Sequence, residues 1–147
     1  MNISSIIVAL SLSFPIFAND ISTKVISVYD GDTFTIEQKD IADKNYRVRI
    51  RGIDTAEYGW RAQCIEETSL SIKAKTFTST AILNKEVLLK NIGTDKYGRL
   101  LADVYVDVTE KIDGVIKPTT INIGTELLKK ELAKPYNPPQ QKPKWCK

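Results

Sequence analysis

The chain has 147 residues, the size of one ordinary domain, and its 42% hydrophobic content is enough for one core with no room for a second domain. Lys and Arg number 21 against 18 Asp and Glu, and this formal charge of +3 permits a polyanionic partner without arguing for one. Histidine is absent, which excludes every mechanism that needs an imidazole base, nucleophile or metal ligand and leaves carboxylates, a metal, arginine, lysine or tyrosine.

Residues 1–18 carry no charged side chain and run apolar from Ile6 to Phe17, ending Ile16-Phe17-Ala18 before Asn19-Asp20. This pattern predicts a signal peptide cleaved after Ala18, with residues 19–147 as the mature domain, secreted or periplasmic and without a stable membrane span after cleavage. The competing reading, an uncleaved anchor, has an apolar run short for a bilayer.

Lys24 to Tyr29 reads as a strand, Asp30-Gly31-Asp32 as turn chemistry, and Thr33 to Glu37 as a second strand, giving a hairpin with carboxylates at its tip. Tyr46 to Ile53 alternates, with Tyr46, Val48 and Ile50 on one face and Arg47, Arg49 and Arg51 on the other. A solvated strand face explains the charges; three arginines without a lysine also suit phosphate, which the planar guanidinium fork fits.

Leu70, Ala74, Phe77, Ala81 and Ile82 recur at helical spacing and predict an amphipathic helix over Glu66 to Asn84, followed by a strand at Val87 to Lys90. Leu100 to Val108 alternates, with Ala102, Val104, Val106 and Val108 on one side, and a hairpin is expected at Asp113-Gly114. A second helix is predicted over Thr119 to Ala133, carrying Ile123, Leu127, Leu128 and Leu132. From Pro135 to Lys147 the prolines argue against regular structure. Strands early, with helices between and after them, give an α+β class.

Cys64 and Cys146 are the two cysteines, and in an exported protein an even count favours a disulfide over two free thiols. A bridge would close a loop of about eighty residues, worth on the order of 4 kcal/mol in the chain-entropy model. It would also tie down the tail.

Three segments can carry chemistry: Asp30-Gly31-Asp32-Thr33, Arg49 with Asp54-Thr55-Ala56-Glu57, and Thr94-Asp95-Lys96-Tyr97-Gly98-Arg99. Asp32, Asp54 and Glu57 sit at turns or strand ends and could form an oxygen-only site, which suits Ca²⁺ better than Mg²⁺ or Mn²⁺. Taken singly, each is more often a turn-forming residue or a helix cap. Arg49 and Arg99 near such a site would stabilise the charge that develops on a phosphorane. Arg99 could equally pair with Asp95 or Asp103.

In this order and spacing, these segments, with Leu132-Ala133-Lys134 after them, closely resemble the staphylococcal nuclease family over residues 24–136. The resemblance implies a five-stranded OB-fold barrel with helices packed on it, a bound Ca²⁺, and endonucleolytic hydrolysis of DNA and RNA with little sequence specificity. It implies that Asp32, Asp54 and the backbone carbonyl of Thr55 hold calcium, and that Glu57 is the general base for the attacking water. It makes Arg49 and Arg99 the phosphate clamps, with Lys96 and Tyr97 on the neighbouring phosphate and Tyr136 stacking on a base. Breakage of the 5′ P–O bond would leave 3′-phosphate ends.

Two departures stand out. Ala56 replaces a proline, which should loosen the loop before Glu57. The sequence after Tyr136 is also short for the family's final helix, whose place a tail pinned by Cys64 and Cys146 would take. The alternative function is a non-catalytic OB-fold module binding single-stranded nucleic acid. A calcium-binding structural protein explains the carboxylates but not the arginines. A monomer is expected, since no large apolar stripe is left over.

Overall fold

A computed structural model describes residues 20–39 and 43–147, so the expected signal segment lies outside the described residues. Eight strands and two helices follow in chain order: β1 (Ile21–Asp30), β2 (Thr33–Lys39), β3 (Asn45–Ile50), β4 (Ile53–Thr55), α1 (Ile65–Ile82), β5 (Glu86–Thr94), β6 (Leu100–Ile112), β7 (Val115–Asn122), α2 (Ile123–Lys129) and β8 (Ala133–Pro135). A single 3-10 turn, Gly59–Arg61, precedes α1.

The main sheet runs β3-β2-β1-β5-β6-β7, and a further pairing between β3 and β6 closes it. That closing pair is parallel, with Val48 opposite Leu100 and Arg49 opposite Leu101, while its other neighbours are antiparallel. Strands β1, β2, β3, β6 and β5 therefore form a closed five-stranded mixed barrel with two helices packed on it, the expected α+β OB-fold architecture. Closure removes the edges that an open sheet would present.

Alternation dictates the interior. Val25, Phe34, Ile36, Val48, Ile50, Leu89, Ala102 and Val104 point inward and are almost wholly buried, joined by Ile82 of α1 and Ile123 and Leu127 of α2. Among the described residues no helix is long and apolar enough to cross a membrane.

Helix α1 buries only part of the stripe that the sequence suggests, Ala74, Ala81 and Ile82, and adds Glu67, Ser71 and Thr78 to it. Leu70 and Phe77 are half-buried, and the buried positions are Glu67, Ser71, Ala74, Thr78, Ala81 and Ile82. These are mostly small because the helix lies directly against the β1–β2 turn. A Cβ at Gly31 would stand 2.6 Å from Ala74 Cβ and 2.8 Å from Thr55 Cγ2. The Thr78 hydroxyl donates to the Gly31 carbonyl at 2.7 Å. The turn carrying Asp32 is thus clamped by the helix.

The second helix is shorter than expected. Residues 119–122 belong to β7, whose β-branched Thr119, Thr120 and Ile121 pair with Val108, Asp107 and Val106 of β6. The helix begins only after Asn122, whose side chain caps it by accepting from Thr125 N at 2.9 Å. Ala133 is likewise not helical: it starts β8, which pairs with β4. Beyond β8 the tail lacks regular structure, as the prolines required.

Candidate active site

Asp32 stands in the two-residue turn between β1 and β2 and is 2% exposed. Both of its oxygens are engaged: Oδ1 accepts from the Thr33 hydroxyl at 2.9 Å and from Arg49 Nη1 at 3.3 Å, and Oδ2 accepts from Thr55 N at 2.9 Å. The last bond stitches β4 to the hairpin tip. Asp54, also 2% exposed, accepts from Arg49 Nη2 at 3.1 Å, and the same nitrogen donates to the Ile53 carbonyl.

Arg49 therefore forks between the two aspartates, held on β3 opposite Thr33 of β2. Burial alone would lower its pKa, but Asp32 and Asp54 outweigh that and raise it further. Asp30 adds a third carboxylate, accepting from Asp32 N at 3.2 Å. Its burial, then the charge of Asp32, push its pKa up to about 7. Two aspartates on one guanidinium, with Asp30 beside them, leave a surplus of negative charge that a hard cation would relieve.

The donor set fits such a cation. It consists of carboxylate oxygens and backbone carbonyls at a turn and a short strand, with no nitrogen or sulfur, which is the chemistry of Ca²⁺ and its harder relatives. The one described group whose ligating atoms all fall within 4.8 Å of one another is elsewhere, at Cys64, Glu67 and Cys146. The two cysteines there are joined by a disulfide, so it offers no thiolate.

Glu57 is not gathered onto the aspartates directly. A lysine from the tail stands between them: Lys142 Nζ is 2.8 Å from Glu57 Oε1 and 3.2 Å from Asp54 Oδ1. Burial pulls the Lys142 pKa down, but the hydrogen bond to Glu57 and the charges of Asp54 and Glu57 hold it above its ordinary value. Trp145 Nε1 donates to Asp54 Oδ2 at 3.4 Å, and Lys134 Nζ lies 4.7 Å from the Trp145 ring centre. The Cys64–Cys146 disulfide anchors this segment, so the tail crosses the carboxylates. Asp32, Arg49, Asp54, Lys142 and Glu57 form one chain of alternating charge.

Arg99 pairs with Asp95, and among the described residues no side-chain bond links it to Asp32, Asp54 or Glu57. It precedes Leu100, the partner of Val48, so it enters β6 beside the strand that carries Arg49. Its guanidinium Nε donates to Asp95 Oδ2 at 2.6 Å, the salt bridge that the sequence allowed. Asp95 Oδ1 accepts from Tyr97 N and Arg99 N, and Gly98 takes φ +79°, which shapes the β5–β6 turn. Burial would raise the Asp95 pKa, but the bonds from Arg99 and Tyr97 lower it. Tyr97 is exposed, with Lys96 and Arg99 over its ring at 5.1 and 5.3 Å.

Tyr136 is brought in by the β4–β8 pair, where Asp54 faces Lys134 and Tyr136 N donates to the Gly52 carbonyl. Its ring lies 5.8 Å from the Arg49 guanidinium carbon. The three-arginine face, by contrast, splits by role. Arg47 is exposed, but Arg51 lies past the end of β3 and donates to the backbone carbonyls of Asn91 and Leu101, tying β5 and β6 together. It is a structural residue.

Sequence reasoning missed Lys142, Trp145 and Glu67. Glu67, 5% exposed, accepts from Glu57 N at 3.2 Å and from Gln63 N at 2.7 Å. It fixes the backbone of the very loop that Ala56 was expected to loosen, and Ala56 itself is 3% exposed. Lys142 and Trp145 carried no motif, and only the Cys146 pairing hinted that the tail returns to this site.

A family model described as staphylococcal nuclease homologue matches residues 47–145, two thirds of the chain, beginning after the hairpin that carries Asp32. No curated protein matches the chain.

Proposed function

Because the chain belongs to the staphylococcal nuclease homologue family, a nuclease-type and typically metal-dependent family, we propose that it is an exported, calcium-dependent endonuclease that hydrolyses phosphodiester bonds of DNA and RNA with little sequence specificity. The observation that carries this reading is the arginine fork: Arg49 bonds both Asp32 and Asp54 while Glu57 lies one ion pair further on. A pure binding surface has no use for buried carboxylates around a single arginine, since they repel phosphate.

Asp32, Asp54 and the Thr55 carbonyl would hold the cation. When bound, it neutralises charge on the phosphate and lowers the pKa of nearby water. Arg49 and Arg99 grip the phosphoryl oxygens and stabilise the charge that grows on them in the transition state. For this Arg99 exchanges Asp95 for phosphate. Glu57, 26% exposed on its side chain and held at its backbone by Glu67, accepts the proton of the attacking water. Lys96 and Tyr97 take the adjoining phosphate, and Tyr136 offers its ring to a base. The apolar, uncharged run of residues 1–18 and the disulfide support the export part of this reading.

The test is nicking of supercoiled plasmid by purified protein in Ca²⁺ and then in EGTA, beside Glu57→Ser and Arg99→Gly. Cutting in Ca²⁺ only, with each variant down roughly a hundredfold or more, is the expected result. Wild-type turnover by either variant refutes its assigned role.

A further inference from the structure

Beside the carboxylates, a groove of about 490 Å³ opens between the β1–β2–β3 surface and the loop Glu57–Arg61. Its rim carries exposed aromatic rings: Trp60 is 89% exposed, Tyr58 65% and Tyr29 52%. Rings this large are rarely left in water without a use, since burying one stabilises by a few kcal/mol. Cations are already stacked on two of them, with Arg61 5.1 Å from the Trp60 centroid and Arg47 4.9 Å from that of Tyr29. Lys75 of α1 adds a third positive charge to the lining.

The two acidic groups in the groove, Asp30 and Glu57, belong to the candidate active site itself, so the groove and that site are continuous. None of Lys96, Tyr97 and Tyr136 lines it. Aromatic rings and cationic side chains lining one groove that shares Asp30 and Glu57 with the candidate active site match one ligand chemistry: unpaired nucleotides, whose bases stack on rings and whose phosphates meet arginine and lysine. A duplex hides its base faces and cannot use Trp60 or Tyr58 in this way.

We propose that this groove is a second nucleotide-binding subsite, in which Tyr58 and Trp60 stack on unpaired bases flanking the cleaved phosphate while Arg47, Arg61 and Lys75 follow the backbone. The inference rests on the nuclease reading for its position next to cleavage, but not for its binding chemistry.

The test is fluorescence anisotropy of a labelled oligo-dT of about ten nucleotides in EGTA, where no cutting occurs, with wild type and with a Tyr58→Ala/Trp60→Ala double variant. Both residues are exposed, so the variant keeps its fold, which circular dichroism checks. The double variant is expected to bind roughly tenfold or more weakly. In Ca²⁺ its KM for the long oligonucleotide should rise, with kcat and the cutting of a dinucleotide-sized substrate unchanged. Unaltered oligonucleotide binding by the variant overturns the subsite even if the wild type cuts. Binding that depends on Trp60 in a wild type that never cuts with Ca²⁺ upholds the subsite and rejects the nuclease reading.

Discussion

Replacing Lys142 with methionine should tighten divalent-cation binding, because the ammonium and the cation compete for the same oxygens. Lys142 Nζ lies 3.2 Å from Asp54 Oδ1 and 2.8 Å from Glu57 Oε1, and its side chain is 51% exposed. Ion pairs open to water contribute roughly 0.2–1 kcal/mol each. One partner here is a buried carboxylate, so about 1 kcal/mol for the two pairs together is a reasonable sum. A cation taking Asp54 gives up that amount, and removing it corresponds to about a fivefold gain in affinity. Methionine keeps the aliphatic stem and hence the packing of the tail. Isothermal calorimetry with Ca²⁺ on protein free of nucleic acid measures the change. The gain should shrink at about 0.5 M salt, where the Debye length is only a few ångströms. An unchanged or weaker affinity in Lys142→Met would refute the competition.

Further outcomes follow from the same contacts. Gly31→Ala places a methyl group where Ala74 Cβ and Thr55 Cγ2 already stand, 2.6 and 2.8 Å away; thermal unfolding should show a loss of roughly 1–3 kcal/mol, and an unshifted Tm would mean that α1 does not clamp the turn. The Cys64→Ser/Cys146→Ser double variant opens a crosslink spanning 82 residues; chemical denaturation should show roughly 4 kcal/mol less stability, together with a red shift of Trp145 emission as the indole leaves Asp54. A blue or absent shift would show that the tail holds without the bridge. Asp95 titrates below its ordinary value, so its stabilisation of the β5–β6 turn is complete above the unfolded carboxylate range and disappears as pH falls through the lowered folded value. Carboxyl NMR titration reads this directly, and a midpoint above the ordinary aspartate value would contradict it.

What could be read in the sequence was what periodicity encodes. The β3 and β6 segments alternate, so their inward faces were legible, and Val48, Ile50, Ala102 and Val104 are buried as that alternation requires; the β1–β2 hairpin was legible from its turn residues instead and carries two register shifts. The pairing of Cys64 with Cys146 followed from parity and compartment. Helix α2 was misread at its start because the helical spacing of Ile123, Leu127 and Leu128 was extended back over Thr119 to Ile121, where long-range pairing with β6 overrides it. The buried stripe of α1 was legible at Ala74, Ala81 and Ile82, but close approach to a turn also selects Ser71 and Thr78 and leaves Leu70 and Phe77 half-buried. Arg51 looked equivalent to Arg47 and Arg49, but the strand ends at Ile50 and turns its guanidinium onto carbonyls of β5 and β6.

At the site, Asp32, Arg49 and Asp54 stood out as turn and strand-end residues and Thr55 through the family resemblance, and the structure brings them into direct contact. Lys142 and Trp145 were not, since they lie 85 or more residues from Glu57 and Asp54 along the chain and are placed there by the crosslinked tail. Such contacts depend on where a proline-rich segment happens to run, which no local pattern specifies.

The most direct measurement is the initial rate of cutting of a fluorescent oligonucleotide across a Ca²⁺ titration, for the wild type and for Asp54→Asn. The wild type should cut with a saturable calcium dependence that EGTA abolishes, and Asp54→Asn should need far more calcium and cut far more slowly. No cutting at any calcium concentration, or equal curves for the two proteins, would contradict a nuclease built on these carboxylates.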